Sequence, residues 1–363
     1  MWQFVKSLNG SPDNNAPNEA LKVGHKRVVN PKKKAELFAK HYARVSKLKL
    51  SRAERKLNLK LKRLVARKAQ PNAEFPEFTM QELEAAIKRM RRKGAPGEDD
   101  IPPAFIKELG PVALGELLAI CNLSLRESKC PQIWLNAIII PLLKAGKAPS
   151  QMASFRPVSL TSCVSKVLER MIAGRLYYLA ESKGWFASIQ AGFRRGHSCG
   201  DQIIRITQAI EDGFQQKKMN RAVLVLLDYS KAFDTVWRQR LLLAMAEKGV
   251  PLICLKWIHG FLSNRQAKVR LNGTLSCFKT LRQGVPQGCV LSALLFIFFI
   301  NNLAETLIAE FGDDAWDILF SLFADDVSIL CRDSDRQSAA ATAQKAVDII
   351  ARWSAEWKLE LNA

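Results

Sequence analysis

Carboxylates are the residues of this chain whose spacing could do chemistry. Two aspartate pairs lie in the stretch 309–330, AEFGDDAWDILFSLFADDVSIL: Asp313-Asp314 after a glycine and Asp325-Asp326 after an alanine. Either could seat a divalent cation, and either could be ordinary surface charge. Their flanks differ. ILFSLFA and VSIL, on either side of Asp325-Asp326, are short apolar segments fit to be the arms of a buried hairpin with the carboxylates at its turn. Asp313-Asp314 follows the helical run ETLIAEF and lacks the first arm, so a surface turn is expected there. One pair does not make a magnesium site, because the ion draws on more than one element and keeps waters and substrate phosphates. The candidate for the missing ligand is Asp228, which closes the apolar run RAVLVLLD (221–228). A carboxylate ending a buried strand is costly without a partner. If that strand lies beside the hairpin, Asp228 and Asp325 meet at one sheet edge. Two magnesium ions bridged by such acids activate an attacking hydroxyl and stabilise a leaving pyrophosphate.

The elements that must position these acids are legible in outline. EFTMQELEAAIKRM (77–90) reads as a helix entered through Thr79, with Glu82 completing a capping box. It ends in RRKGAPGEDDIPP, whose glycines and prolines enforce a loop. Helix is expected over about 103–128, 161–183, 199–217, 237–248, 251–262, 289–303 and 335–357. NAIIIPLL (136–143) reads as a strand. RAVLVLLD, continuously apolar, reads as a strand buried on both faces. Asn272-Gly273 within 268–281 is a hairpin signal. Helices broken by strands and a hairpin predict an α+β layer architecture, not a regular βαβ alternation.

The totals point to the kind of partner. The 363 residues carry 55 Lys+Arg against 34 Asp+Glu, a net charge of +21. Residues 1–70 hold 19 basic and 4 acidic residues, so most of the excess lies there. Such an excess favours a polyanion, nucleic acid before a membrane surface. The segment 35–69 is helix-forming, with Leu57, Leu61, Leu64 and Val65 at helical spacing and basic residues between them. It is either a solvated face on a packed helix or a nucleic-acid contact. Residues 9–19, NGSPDNNAPNE, have loop composition. The eight cysteines are scattered, without C-x-x-C pairs or zinc spacing, which suggests reduced thiols in an intracellular protein. The N-terminus lacks a secretory signal core. The run VLSALLFIFFI (290–300) is shorter than the roughly 20 residues of a membrane span and reads as buried, so no membrane partner is expected.

LLDYSKAFDTV (226–236), RQGVPQGCVLSALLF (282–296) and FADD (323–326), in that order, resemble the three central palm motifs of reverse transcriptases of non-LTR (LINE-type) retrotransposons. KGAPGEDDIP (93–102), FRPVSL (155–160) and QAGFRRGHSCGDQ (190–202) resemble that family's finger motifs, so the resemblance runs from about residue 30 to the end. It implies a right-hand polymerase fingers-palm fold with a small antiparallel palm sheet packed on helices. Residues 1–75 would be a basic, partly helical extension, 76–220 the fingers with part of the palm, and 221–363 the palm core. It implies an RNA-directed DNA polymerase using an RNA template, a DNA primer and dNTPs. Asp228, Asp325 and Asp326 match the catalytic aspartates that hold two magnesium ions, with manganese as a substitute. Phe233 matches the aromatic beneath the incoming sugar, where a ring would clash with a ribose 2'-hydroxyl. Gln287 and Gly288 match the loop beside nucleotide and template base. Lys144 and Arg156 match basic positions facing the triphosphate, where positive charge is an electrostatic need. Arg194 and Arg195 are candidates for template contact. Asp234 is expected to be structural.

The sequence departs from the family's pattern at Cys199 (usually Thr), Asp100 (Gly), Ala293 (Pro) and Asn302 (Asp). WKLELNA (357–363) resembles the start of a further palm motif, and the chain stops before the lysine that follows it in the family and before the thumb. A fragment with the thumb missing is therefore expected. The rival readings are a catalytically silent RNA-binding remnant and an enzyme making RNA from an RNA template. Primer extension separates the first rival, and exchange of ribonucleotides for deoxynucleotides separates the second. The family's priming on chromosomal DNA implies a nuclear location, with the cytoplasm as a ribonucleoprotein stage. Lys32-Lys33-Lys34 is the weak candidate import signal. Oligomeric state is not written in the sequence.

Overall fold

Thr79 opens its helix as the capping pattern requires. Its hydroxyl accepts from the Glu82 N–H while the Glu82 carboxylate accepts from the Thr79 N–H. Ser51 and Glu54 form a second such box. The computed structural model describes residues 19–68, 75–215, 221–313 and 315–362. The loop expected at 9–19 lies outside them except for its last residue, as do Asp314 and Ala363.

In chain order, strands β1 (Leu21–Val23) and β2 (Lys26–Val28) precede helices α1 (Pro31–Val45), α2 (Arg52–Ala66) and α3 (Met80–Lys88). Helices α4 (Pro103–Lys107), α5 (Pro111–Glu127) and α6 (Gln132–Leu135) lead to strands β3 (Asn136–Leu143) and β4 (Phe155–Leu160). Helices α7 (Cys163–Ser182) and α8 (Cys199–Gln215) follow, then β5 (Arg221–Leu227), β6 (Tyr229–Ser230), α9 (Ala232–Thr235), α10 (Arg238–Glu247) and α11 (Leu252–Leu262). The remainder is β7 (Gln266–Leu271), β8 (Thr274–Leu275), β9 (Lys279–Thr280), α12 (Leu291–Phe311), β10 (Ile318–Phe323), β11 (Asp326–Asp333), α13 (Arg336–Trp357) and β12 (Glu360–Leu361). The architecture is α+β. Two compact units form, each from two segments: Met1–Arg175 with Gly249–Ser292, and Leu176–Lys248 with Ala293–Ala363.

The first unit is built on a mixed sheet of order β4-β3-β7-β8, with β9 also paired to β7. β3 runs antiparallel to β4 and parallel to β7. Asn272 (φ 46°) and Gly273 (φ 73°) are both left-handed, so β7 and β8 join through the two-residue turn the sequence signals. α1 lays Ala35, Phe38, Ala39 and Tyr42 against Ala137, Ile139, Phe155, Val269 and Leu271 of the sheet. Lys34, one of the three lysines of the candidate import signal, is 1% exposed, and its Nζ donates to the Glu19 carbonyl. Lys32 is tied to the Leu275 carbonyl. All three lie in the first turn of α1, where Lys34 is packed while Lys32 and Lys33 are exposed. The helix expected over 103–128 is two, α4 and α5. Pro111 lacks an N–H and drives Gly110 to an extended ψ of 172°, which ends one helix and starts the next.

The second unit holds the antiparallel sheet β10-β11-β5, with α13 and α8 packed on it and β12 paired to β6. β5 corrects the expectation of a strand buried on both faces. Ala222, Leu224 and Leu226 are exposed, the two leucines to 45% and 69%, while Val223, Val225 and Leu227 are half-buried. The strand lies at the edge of a three-stranded sheet and is covered on one face only, so its unbroken apolar run did not mean two-sided burial.

α12 runs 21 residues, eight beyond its expected end, because NNLAETLIAEF continues the helical pattern. It is long and apolar enough to cross a membrane by length and composition, but 72% of its apolar window is buried inside the protein. The shortness of the oily run was thus the wrong reason for reading it as buried.

Candidate active site

The second unit brings the aspartates of the sequence together. β10 and β11 pair in the register Phe323↔Asp326, leaving a two-residue turn of Ala324 and Asp325. Ala324 takes φ 61°, and Asp325 is not among the left-handed residues. That is the pattern of a II′ turn, whose first central residue is usually glycine. β11 pairs with β5 as Val327↔Leu227. The ladder ends at Val327↔Leu227, so Asp228 and Asp326 are the next residues beyond that pair, and Asp325 occupies the adjoining turn. Burial raises the Asp326 carboxyl above its ordinary range, and the nearby Asp228 charge raises it further. The Asp228 carboxylate accepts from Asn362 Nδ2 at 3.3 Å, and its carbonyl accepts from the Asn362 N–H at 2.8 Å. Asp313, the nearer half of the other pair, accepts from Ser188 Oγ and is exposed, as expected of a surface turn.

This donor set suits a hard divalent cation: all oxygens, with like charges close together at a sheet end. Among the described residues no group of three or more His, Cys, Asp or Glu side chains is placed so that it could by itself hold a metal ion. The acids thus offer part of a coordination shell, which suits an ion that also takes waters and substrate phosphates.

Phe233 lies in α9, stacked on Phe296 (centroids 4.5 Å apart, 14° between planes) and met edge-on by Phe193 at 6.0 Å. It is half-buried and rigidly backed. Arg194 has its guanidinium engaged within the unit: with the Glu181 carboxylate at 2.8 Å and 3.0 Å, and with the carbonyls of Ala187 and Gln190. The Arg194 hydrogen bonds hold the Glu181 carboxyl below its usual range. Arg195 is exposed, over the Tyr177 ring at 4.9 Å, and leaves its donors at the surface. The same loop carries two residues that sequence reasoning passed over. Gln190 Oε1 accepts from the Gly192 and Ala324 N–H groups. A Cβ on Gly192 would lie 2.1 Å from Ala324 N. The available signal was the glycine itself, wedged between apolar residues where nothing local calls for one.

The first unit gathers the other candidates around one hairpin. Arg156 on β4 pairs with Leu142, and Lys144 follows β3 with its N–H donated to the Ser154 carbonyl. That register puts Lys144 and Arg156 on the same face of the hairpin, with Arg156 exposed. The edge of β4 away from β3 carries the Gln287-Gly288 loop: Ser159 N–H donates to the Gln287 carbonyl at 2.7 Å. Gly288 has φ 128°, and a Cβ there would sit 2.3 Å from the Ser159 carbonyl oxygen, so only glycine fits. Glu169, fully buried, accepts from Ser165 Oγ and from the N–H groups of Val290 and Leu291, at the positive end of α12. It anchors the loop from behind, and no motif pointed to it.

Of the four departures from the resemblance, Asp100 sits at φ 51°, the left-handed backbone that a glycine would adopt freely. Asn302 accepts from Trp353 Nε1 at 3.0 Å. Cys199 begins α8, and Ala293 lies in the first turn of α12.

Residues 143–363 match the family described as reverse transcriptase (RNA-dependent DNA polymerase). The probable RNA-directed DNA polymerase from transposon BS of Drosophila melanogaster is 30% identical over 363 residues, 100% of this chain and 39% of that protein. The RNA-directed DNA polymerase from mobile element jockey of Drosophila melanogaster is 31% identical over 286 residues, 78% of this chain and 31% of that protein. The chain therefore spans well under half the length of these curated relatives. Among solved structures, an apo telomerase from Candida Tropicalis, truncated from its C-terminal domain, aligns at TM-score 0.48 and 16% identity, covering 64% of this chain and 49% of that one.

Proposed function

The chain belongs to the reverse transcriptase family of non-LTR retrotransposons, and from that premise we propose that it is a fingers-palm polymerase core that extends a DNA 3'-hydroxyl with deoxynucleotides along an RNA template. The observation that supports this reading is that Asp228 and Asp326 lie directly beyond the Val327↔Leu227 pair, close enough for the Asp228 charge to act on Asp326, with Asp325 in the adjoining turn. Acids nearly a hundred positions apart meet at one sheet end, where they repel unless a cation is shared.

Asp228, Asp325 and Asp326 would hold two magnesium ions, or manganese in their place. When bound, these supply charge neutralisation for the attacking hydroxyl and the leaving pyrophosphate. Phe233, backed by Phe296, presents a ring that excludes a 2'-hydroxyl, and so selects deoxyribose by steric clash. Lys144 and Arg156 lay two positive charges along one hairpin face for the triphosphate. Gln287 and Gly288 bring a glycine-tight backbone beside the base pair being read. Arg195 is the exposed cation of its loop and the better candidate for the template backbone, because Arg194 is already bonded within the unit. In this reading 1–75 is a basic extension, 76–220 fingers with part of the palm, and 221–363 palm. The site of action is the nucleus, reached through a cytoplasmic ribonucleoprotein.

The test is primer extension on an RNA template with magnesium. The chain yields DNA, Asp325→Ala abolishes it, and ribonucleotides do not replace deoxynucleotides. RNA binding without extension in either form would instead identify a silent remnant. Extension with ribonucleotides would identify an RNA-making enzyme.

A further inference from the structure

Gln190 is fully buried, yet its Nε2 has no hydrogen-bond partner. Its other end is used twice. Oε1 accepts from the Gly192 N–H at 2.8 Å and from the Ala324 N–H at 3.4 Å. Turning the amide over would set its hydrogens against two backbone N–H groups, so the carbonyl end belongs on the turn. A buried donor without an acceptor is unfavourable and calls for a compensating reason.

The surroundings supply one. Ala191 N–H donates to the Leu322 carbonyl and Leu322 N–H to the Ile189 carbonyl, each at 2.9 Å. This stretch runs beside β10 as a parallel bridge at Gln190↔Leu322. Gly192 then packs backbone to backbone on Phe323 and Ala324. Ala324, at φ 61°, has neither the freedom of glycine nor the local side-chain hydrogen bond that lets Asn or Asp turn left-handed. The turn that carries Asp325 and starts Asp326 is therefore held from outside itself.

We propose that Gln190 is a positioning residue for the catalytic hairpin: its carbonyl, with the Gly192 backbone packed on the turn, keeps Ala324 left-handed and so fixes the directions of the Asp325 and Asp326 carboxylates. This rests on the polymerase reading above. It gives the loop a task distinct from any template contact by its arginines. The chemical step should depend on Gln190, and nucleotide binding should not, since the residues assigned to the triphosphate lie on another hairpin.

The experiment compares the full chain with Gln190→Met, which keeps the length and removes the acceptor, and Gln190→Glu, which keeps an acceptor oxygen. Three quantities are measured: kcat per folded molecule, KM for dNTP, and the rise in Tm on adding magnesium. Gln190→Met is expected to lower kcat about tenfold or more, as small misplacements of reacting groups do. Its dNTP KM stays within about twofold, the signature of an interaction made in the transition state. Its magnesium-induced rise in Tm shrinks, and Gln190→Glu retains most of the kcat. If Gln190→Met yields no folded protein, Gln190→Asn, whose amide is withdrawn by one methylene, takes its place with the same expectations. Unchanged kcat in Gln190→Met, equal losses in Met and Glu variants, or a loss confined to KM would each overturn the inference while leaving the polymerase reading intact. A parent chain that neither extends primer nor responds to magnesium would overturn that reading, and this inference with it.

Discussion

At the scale of single residues, the closeness of Asp228 and Asp326 has a cost that the fold carries for its chemistry. A carboxyl raised above its ordinary value of 3.8 by burial and a like charge binds a proton more tightly folded than unfolded. Stability from this group is therefore full at low pH and falls as pH climbs from the ordinary value through the raised one. Without metal, Asp326→Asn should unfold at the same temperature as the parent chain or higher at pH 7, with the difference vanishing near pH 3. The same variant should give no primer extension. Thermal melts at the two pH values and one extension assay check this, and a clear loss of stability at pH 7 would refute it. Asp100 is the second case. Its left-handed backbone (φ 51°) is the conformation a glycine adopts without strain. Asp100→Gly should raise stability by about 0.5–1 kcal/mol, measured by denaturant unfolding.

At the scale of elements, the strand before Asp228 separates composition from burial. Leu226 is 69% exposed, so Leu226→Thr should change stability by no more than about 0.5 kcal/mol. A strand buried on both faces would lose several times that amount on such a change. Chemical denaturation of this one variant tells the two pictures apart. The hairpin shows the same division. Its two apolar arms and its acids were legible in FSLFADDVSIL, because short apolar runs flanking a polar turn are local signals. Its partner at Asp228 was legible only as a candidate, and the register that brings Asp228 to the end of the hairpin, beside Asp326, came from the pairing of β5 with β11. Register is settled by which strand edges meet, and no short window of sequence contains that.

At the scale of the whole molecule, the net charge of +21 is unevenly spread, and α2 is where it is displayed. Leu61 is buried and Leu57, Leu64 and Val65 half-buried, while Lys56, Lys62 and Arg63 stand exposed. A packed face and a charged face are both present, so the two readings of this helix are not exclusive. Each cation that neutralises a phosphate of single-stranded RNA adds about 0.7 to the slope of log affinity against log salt. Replacing Lys56, Lys62 and Arg63 by alanine should therefore flatten that slope by about two, with RNA affinity lowered alike for unrelated sequences. A titration series across salt concentrations decides it.

What the sequence alone determined is what short windows encode. The Thr79 cap, the Asn272-Gly273 turn, the 136–143 strand and the paired acids at a hairpin tip all follow from neighbouring residues competing for the same backbone groups and faces. What only the tertiary structure decided is what depends on distant segments arriving at one place. It left one face of β5 open, buried Lys34, engaged Arg194 in an internal network, and set Glu169 behind the Gln287 loop and Gln190 beneath the Asp325 turn. A side chain's availability is fixed by which donors, acceptors and apolar surfaces reach it across the fold, and its own type and spacing cannot carry that information.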